Sequence, residues 1–136
     1  MQNKLSNNFK SPSSIRRVFC FSLFLLAFTF VKSQAVLKFH DMKKSFGFVK
    51  KGEVVKLEFD FVNQGNQPLV ITEAKVECSC TTVEFPKQPI APNQSGKVVV
   101  NFDTKSVYDR QDRIVEIISN AKNASQKIRY KGVVLK

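Results

Sequence analysis

Apolar and polar residues alternate along most of the chain after residue 36. In Val54–Phe61, apolar residues occupy every second position from Val55 to Phe61, and charged residues occupy the positions between them. A period of two predicts a β-strand with one buried face. We predict six further short strands: Val36–Phe39, Phe46–Val49, Leu69–Val76, Lys97–Asp103, Ile114–Ser119 and Lys127–Val134.

The alternation also predicts which side chains form the core. Three strands show their inward positions most clearly, and the predicted inward residues are Val55, Leu57, Phe59 and Phe61; Val70, Thr72, Ala74 and Val76; and Val98, Val100 and Phe102. A strand with one apolar face packs that face against a second sheet. These positions therefore predict a core between two layers.

Turn-forming residues separate the predicted strands. Asn63–Pro68 contains Gly, Asn and Pro, and Asn120–Ala124 forms a second polar turn. Three prolines make Pro86–Gly96 a connector, since proline is excluded from central strands. The polar segment Thr104–Arg113 has no apolar period and predicts a loop. About seven short strands separated by such turns predict an all-β, immunoglobulin-like β-sandwich.

The first 33 residues have the pattern of a secretory signal peptide. Lys10, Arg16 and Arg17 precede 14 uncharged residues, Val18–Val31, and the small residue Ser33 follows. A charged start, an apolar run of this length and a small-residue exit are typical of export signals. As a helix the run reaches about 21 Å, short of the roughly 30 Å hydrocarbon core. We therefore predict a signal peptide over residues 1–33 and no stable membrane span.

Export defines the expected mature protein. Residues 34–136 are expected to form one soluble domain in the periplasm or outside the cell, since about 100 residues supply one core. Cleavage is expected after Ser33 or after Ala35. An uncleaved segment would leave the domain anchored to the membrane. The sequence predicts no oligomeric state.

The net charge depends on this processing. The chain has 22 basic and 11 acidic residues, a net charge of +11, but five basic and no acidic residues precede Gln34, which leaves +6 for the remainder. A positive exported protein favours acidic glycans or lipid surfaces over nucleic acid. We predict a protein or glycan partner in the cell envelope and no nucleic-acid role. The basic residues are spread singly, as on solvated strand faces: Lys38, Lys56, Lys75, Lys97 and Lys127.

Cys78 and Cys80 form the one closely spaced reactive pair in the sequence of the predicted domain. Alternate residues of an extended strand lie about 6.6 Å apart, whereas a disulfide needs Cβ atoms near 3.8 Å, so a bridge requires a bulge or sharp bend. Three interpretations stay open: two buried thiols in phase with Val76, a Cys78–Cys80 disulfide favoured by an oxidising compartment, and a soft-metal or redox site. Two thiolates suit Cu(I), whereas zinc normally takes four ligands. Our main prediction is no metal and no cofactor, and Cys78 and Cys80 are the candidate ligands if the soft-metal interpretation is correct.

The sequence shows no catalytic set. His40 is the only histidine and lies near a predicted strand end, where surface and capping roles are usual. Asp41 beside it is a neighbour in sequence, which establishes no catalytic geometry. The acidic residues alternate with apolar ones, and there is no glycine-rich phosphate loop or acidic metal motif. We predict that the chain is not an enzyme.

A series of short motifs follows the predicted strands in order. They are Phe46-Gly47-Phe48-Val49, Gly52-Glu53, Asn63-Gln64-Gly65, Pro68-Leu69-Val70-Ile71, Cys78-Ser79-Cys80-Thr81, Pro89-Ile90-Ala91-Pro92, Val100-Asn101-Phe102-Asp103 and Ile118-Ser119-Asn120. In this order they resemble the DUF1573 family of exported, immunoglobulin-like domains of Bacteroidetes type, which is related to ASH and MSP-like sandwiches. The resemblance covers residues 36–134 and implies the fold and export, but no chemistry. Ser79 stands where the family usually has glycine.

Two functional hypotheses follow. The leading one is an exported, non-enzymatic binding or structural module of the envelope, because sandwiches of this kind usually place function on their loops. Its candidate contact regions are Pro86–Gly96 and Thr104–Arg113. The alternative is a thiol- or copper-handling periplasmic protein that uses Cys78 and Cys80, whose thiolates a nearby cation such as Lys75 would stabilise.

Overall fold

The computed structural model describes residues 33–136. The regular structure of this part consists of eight strands: β1 (Leu37–Phe39), β2 (Lys43–Lys50), β3 (Val54–Asn63), β4 (Ile71–Val76), β5 (Thr81–Glu84), β6 (Ser95–Asp103), β7 (Asp109–Ser119) and β8 (Ser125–Leu135). The predicted signal peptide, with its apolar region over residues 18–31, lies outside the described residues except for Ser33. Within residues 33–136, no helix has the length and apolar character needed to cross a membrane.

The strands form two four-stranded sheets. The first sheet has the order β1-β3-β6-β5, and the second has the order β2-β8-β7-β4. Every pairing is antiparallel except that of β2 with β8. The sheets share one core, in which the Phe102 ring of the first sheet lies 5.7 Å from Phe46 and 5.4 Å from Tyr130 of the second. The predicted all-β sandwich is confirmed.

The predicted inward positions are correct for two strands and partly wrong for a third, in which Ala74 is half-buried against the core as predicted. In β3 and β6 the inward side chains are buried or half-buried as predicted: Val55, Leu57, Phe59, Phe61, Val98, Val100 and Phe102. In β4, Ile71 is 4% exposed, whereas Thr72 and Val76 are exposed. A bulge between Ile71 and Glu73 in the pairing with β7 shifts the alternation by one residue. Because the side-chain period is two, this shift turns Thr72 outward and Ile71 inward.

Two segments differ from the predicted strand map. Thr81–Glu84 forms β5, an eighth strand at the edge of the first sheet, and its four residues are too short to display a period. The predicted loop Thr104–Arg113 is wrong beyond residue 108, because β7 begins at Asp109 and pairs with β8. In this stretch the inward residues Gln111 and Arg113 are themselves polar. The apolar half of the alternation is therefore missing from the sequence.

Asn63, at the end of β3, is completely buried and joins the segment before β1, the turn after β3 and the connector between β5 and β6. Its Oδ1 accepts hydrogen bonds from the backbone N–H groups of Val36 and Gly65 at 3.3 and 3.0 Å. Its Nδ2 donates to the carbonyls of Gln67 and Ile90 at 2.7 and 3.0 Å. All the hydrogen-bonding capacity of the amide is thereby used inside the protein. The Asn-x-Gly motif is a structural element of this corner.

The residues just before β1 also belong to the folded domain. Ala35 is 2% exposed, and its carbonyl accepts a hydrogen bond from the backbone N–H of Lys122 at 2.9 Å. The Gln34 N–H donates to Asn66 Oδ1 at 2.8 Å, and the Asn66 N–H donates to the Gln34 carbonyl at 3.1 Å. Cleavage after Ala35 would remove these contacts, whereas cleavage after Ser33 keeps them. A domain that begins at Gln34 therefore keeps these contacts, and both cleavage positions stay predictions.

Candidate functional site

The cysteine pair lies in the turn between β4 and β5, where the structure joins Cys78 and Cys80 by a disulfide. The two Cα atoms are 5.2 Å apart, because residues 77–80 bend instead of continuing the strand. The Thr81 N–H donates to the Cys78 carbonyl at 3.1 Å and closes the turn. Both cysteines are half-buried and Val76 is exposed, so a pair of buried thiols does not describe this turn. The bridge stays a prediction for the purified protein, which thiol titration tests.

A buried polar contact connects the disulfide turn to the core. The hydroxyl groups of Thr81 and Tyr130 lie 2.6 Å apart, and burial raises the pKa of Tyr130. Arg113 is paired with Tyr130 in the register of β7 and β8. Its Nη2 donates to Gln111 Oε1 at 3.0 Å, while its Nε is buried without a hydrogen-bond partner among the described residues. Arg113 is not recognisable from the sequence as part of this contact, because its segment has no apolar period and predicts a loop.

The remaining candidate ligands are dispersed. His40 is exposed just after β1, and its backbone N–H donates to the Asp60 carbonyl at 3.0 Å. In residues 33–136, no group of three or more His, Cys, Asp or Glu side chains is placed to share a metal ion. The described residues bring together one pair of soft-metal ligands, the sulphur atoms of Cys78 and Cys80, which are available to a metal only if the bridge is reduced.

The first predicted contact region, Pro86–Gly96, is partly committed to the fold. Ile90 forms a β-bridge with Leu69 through two backbone hydrogen bonds of 2.8 Å. Asn93 adopts a positive φ of 62°, and its N–H donates to the Asn63 carbonyl at 2.8 Å. Asn93 is thus an asparagine in a left-handed conformation, which its side chain tolerates. These contacts fix the path of the connector, while most of its side chains stay exposed, so its role as a contact region stays a prediction.

The second predicted contact region, Thr104–Arg113, divides into two parts. Thr104 is completely buried, and its Oγ1 accepts from the Gly52 N–H at 2.9 Å and donates to the Glu53 carbonyl at 2.7 Å. This end holds the turn between β2 and β3. Arg110, near the other end, is exposed and lies on the outward face of the second sheet. Only that part of the predicted region contributes to the surface described next.

The outward face of the second sheet contains a groove across β2, β8 and β7. Two adjoining depressions of about 340 and 250 Å³ share Ser45, Arg110 and Lys131. We call the combined feature the basic groove. Its first depression is also lined by Lys43, Lys44, Asp112 and Arg129, and its second by Gly47, Phe48, Gln111, Gly132 and Val133.

Positive charge dominates the first depression, where four outward cations, Lys43, Arg110, Arg129 and Lys131, accompany one carboxylate. The Lys44 ammonium belongs to the inward side, since its Nζ lies 5.6 Å from the centre of the buried Phe59 ring. Arg129 binds Asp112 through two nitrogens, and this contact holds the pKa of Asp112 below its ordinary value. Among residues 33–136, no carboxylate lies within 4.0 Å of the charged groups of Lys43, Arg110 or Lys131. Unpaired cations around a concave surface attract anions, since the walls concentrate the field.

One signal of this groove is present in the sequence. Lys127, Arg129 and Lys131 occur at alternate positions of β8 and therefore share one face. Within one strand, however, such a row looks the same as the solvated basic residues on any exposed face. In the folded sheet, Lys43 of β2 pairs with Arg129 of β8, and Arg110 of β7 pairs with Val133 of β8. These pairings bring cations of three strands into one surface. Those neighbours are distant in sequence.

The comparisons with known proteins identify a family without an established activity. The family model described as "Protein of unknown function (DUF1573)" matches residues 37–134 of this chain. The match begins with β1 and ends within β8. No curated protein matches the chain.

Solved structures share the fold at low sequence identity. A protein of unknown function from Porphyromonas gingivalis W83 has a TM-score of 0.65 and 18% identity, over 74% of this chain and 47% of that chain. The ASH / PapD-like domain of human CEP192 has a TM-score of 0.60 and 8% identity, over 98% and 95%. The Vibrio cholerae VesB protease has a TM-score of 0.55 and 18% identity, over 76% and 32%. The chain thus spans less than half of the P. gingivalis protein and about a third of the protease. These likenesses show the fold alone.

Proposed function

We propose that this chain, which belongs to the DUF1573 family, is an exported, non-enzymatic binding module of the cell envelope. Its binding surface is the basic groove, and its partner is anionic. The observation that carries the proposal is the set of cations around the groove that have no carboxylate within 4.0 Å among the described residues: Lys43, Arg110 and Lys131.

The chemistry of these side chains supports binding over catalysis. Arginine and lysine supply hydrogen-bond donors and positive charge but no acceptor at neutral pH. Charge-assisted hydrogen bonds from such groups hold carboxylate, sulfate or phosphate oxygens. The groove's one carboxylate, Asp112, is bound to Arg129, which lowers its pKa further below neutral pH, where an ordinary carboxyl is already ionised. A general acid needs a proton to give at the working pH, and this carboxyl does not hold one.

The test is retention on isolated envelope material, using the protein in the form in which the cell accumulates it. Wild type is compared with the double variant Arg110→Glu/Lys131→Glu, which reverses two groove cations. We expect affinity to fall at least about tenfold, which corresponds to 1.4 kcal/mol. Retention of the wild type should also weaken as salt rises, because exposed charges are screened.

A matched control makes the result specific to the groove. The variant Lys38→Glu/Lys56→Glu makes the same charge change on the outward face of the first sheet, where both lysines are exposed. It should bind as the wild type does. Equal losses in the two double variants, or none in either, would contradict the assignment of the groove. Turnover of a small substrate by the wild type without any retention would contradict a binding role.

A second candidate function uses the disulfide turn. The sulphur atoms of Cys78 and Cys80 are adjacent and half-buried in one turn, which favours thiol or Cu(I) handling after a dithiol has reduced the bridge. Reduction adds two electrons and two protons to the bond, while the dithiol becomes a disulfide. Anaerobic titration of the reduced protein with Cu(I) tests this function. Stoichiometric binding that Cys78→Ser abolishes supports it, and no binding assigns the pair a structural role.

A further inference from the structure

We infer that the basic groove binds a linear acidic polysaccharide, a chain of uronic acid residues extended along β8. This inference rests on the proposed function and names the chemical class of the anionic partner. The shape of the groove, the spacing of its cations and one exposed aromatic ring support it.

The shape indicates an elongated ligand. The two depressions share three residues, so the groove continues from the part beside Arg129 to the part beside Val133. Alternate residues of a strand lie about 6.6 Å apart. A single sulfate or phosphate ion would contact only one section of such a surface. An extended chain fills both depressions.

The cations are spaced along that same direction. Arg129 and Lys131, the two groove cations of β8, lie about 6.6 Å apart at 3.3 Å per residue. Lys43 of β2 lies beside Arg129 of β8, and Arg110 of β7 lies beside Val133 of β8. The charges are therefore distributed along the groove. A ligand that carries one negative charge on each repeating unit matches this distribution.

A β-bulge directs an aromatic ring to the second depression. The pairing of β2 with β8 shifts between Ser45 and Gly47, and Gly47 has a positive φ of 68°. Without the bulge, alternation from the outward Ser45 would turn Phe48 into the core. With the bulge, Phe48 is 75% exposed and pairs with Val133. Bulges that redirect a side chain are common next to functional sites.

The exposed phenylalanine suits a sugar more than a simple anion. The C–H face of a pyranose ring is apolar and packs flat on an aromatic ring, which removes apolar surface from water. Phe48 therefore supplies a stacking position next to the cations that bind the carboxylates. A lipid bilayer presents a broad surface, whereas a single polysaccharide chain can follow the two depressions, where Arg110 and Lys131 line the walls. The concave shape thus favours a polysaccharide chain over a membrane.

The experiment varies the charge and the length of the ligand separately. The processed protein is titrated calorimetrically with a galacturonate hexamer, its fully methyl-esterified form, which is neutral, and the galacturonate monomer. We expect the hexamer to bind at least about tenfold more tightly than either, a difference of 1.4 kcal/mol. Equal binding of the ester or of the monomer would overturn the inference. So would tighter binding to phosphatidylglycerol vesicles or to a single-stranded oligothymidylate.

Two apolar variants test the stacking position. Phe48→Ala should lower the affinity for the hexamer several-fold without changing the melting temperature, since the ring is largely exposed. Val54→Ala is the control, because Val54 is 60% exposed on β3 in the other sheet and should have no effect on affinity. Equal affinities of wild type and Phe48→Ala would contradict the stacking of a sugar ring on Phe48.

The two proposals fail in different ways. If envelope retention depends on Arg110 and Lys131 but the hexamer does not bind, the polysaccharide assignment is wrong and the anion-binding role stands. If neither retention nor hexamer binding depends on those two cations, both proposals are wrong.

Discussion

The two sheets are constructed alike on their inward faces and differently on their outward faces. Inside the first sheet, the Phe61 ring packs over Gly96 of the neighbouring strand. Inside the second sheet, the Phe46 ring packs over Gly132 in the same manner. In both places a Cβ atom on the glycine would come within 2.4 Å of a ring carbon. Close packing of the shared core therefore constrains both inward faces equally.

The outward faces differ in how their charges are paired. On the first sheet, Glu58 lies 2.7 Å from Lys97 and 3.6 Å from Lys56, so acidic and basic residues neutralise each other. On the second sheet, one carboxylate, Asp112, binds Arg129 and also feels the charges of Arg110 and Lys131, neither of which has a carboxylate within 4.0 Å among the described residues. Both faces satisfy the alternation that the fold requires. Outward residues are free to differ because they do not pack in the core, and the proposed binding function uses this freedom.

The largest effect is expected from two asparagines, one for each sheet. Asn63→Ala should lower the free energy of unfolding by about 3 kcal/mol, because four part-buried backbone groups lose a completely buried partner and each such loss costs up to about 1–3 kcal/mol. Asn120 follows β7 and likewise binds Val70 N–H and the Pro68 carbonyl, but it is exposed. Asn120→Ala should cost under about 1 kcal/mol, since water replaces the amide. Urea denaturation measures both, and equal losses would contradict this distinction.

The next effect tests the similarity of the inward faces. Gly96→Ala and Gly132→Ala should each destabilise the protein by about 1–3 kcal/mol, because the added methyl group overlaps a buried or half-buried ring. Thermal denaturation of the two variants gives the comparison. Gly52→Ala is not a suitable control, since Gly52 has a positive φ of 97°. Ser95→Ala, at an exposed position beside Gly96, serves instead. A loss in only one sheet would break the proposed similarity.

Tyr130 gives a pH-dependent prediction for the core between the sheets. Burial raises the pKa of Tyr130, so the stability from its neutral hydroxyl is present below the ordinary tyrosine pKa, near 10.0, and is lost as the pH rises through the raised value. Tyr130→Phe should cost about 1–2 kcal/mol at neutral pH, since Thr81 loses its partner. The same variant should show a shallower decline in stability above pH 10 than the wild type. Tyr108→Phe, at an exposed position, should follow the wild type throughout.

The smallest effect distinguishes the outward faces. Asp112→Asn and Glu58→Gln each remove the carboxylate of an exposed ion pair, and such pairs contribute little to stability. Their melting temperatures should therefore stay close to that of the wild type. At pH 7, where the lowered pKa values keep both carboxyls ionised, only Asp112→Asn should raise the affinity for an acidic ligand. Equal affinities of the two variants would contradict the distinction between the faces.

Much of the fold follows from residue order alone. The alternation in β3 and β6 predicts their inward residues, because an antiparallel sheet with one solvated face requires that pattern. Prediction fails where the pattern is interrupted locally. The bulge at Ile71–Glu73 inverts part of β4, and the polar inward residues of β7 conceal its first five positions. The spacing of Cys78 and Cys80 identified a reactive pair, but the bend that brings them together is a property of the turn.

The basic groove marks the limit of what the sequence determined. The sequence by itself fixed the strand periods, the turn residues and the row of cations Lys127, Arg129 and Lys131 on one face of β8. Only the tertiary structure placed Lys43 and Arg110 beside that row and turned Phe48 outward. The physical reason is that strand neighbours and register depend on packing between segments far apart in the chain, which no local period encodes.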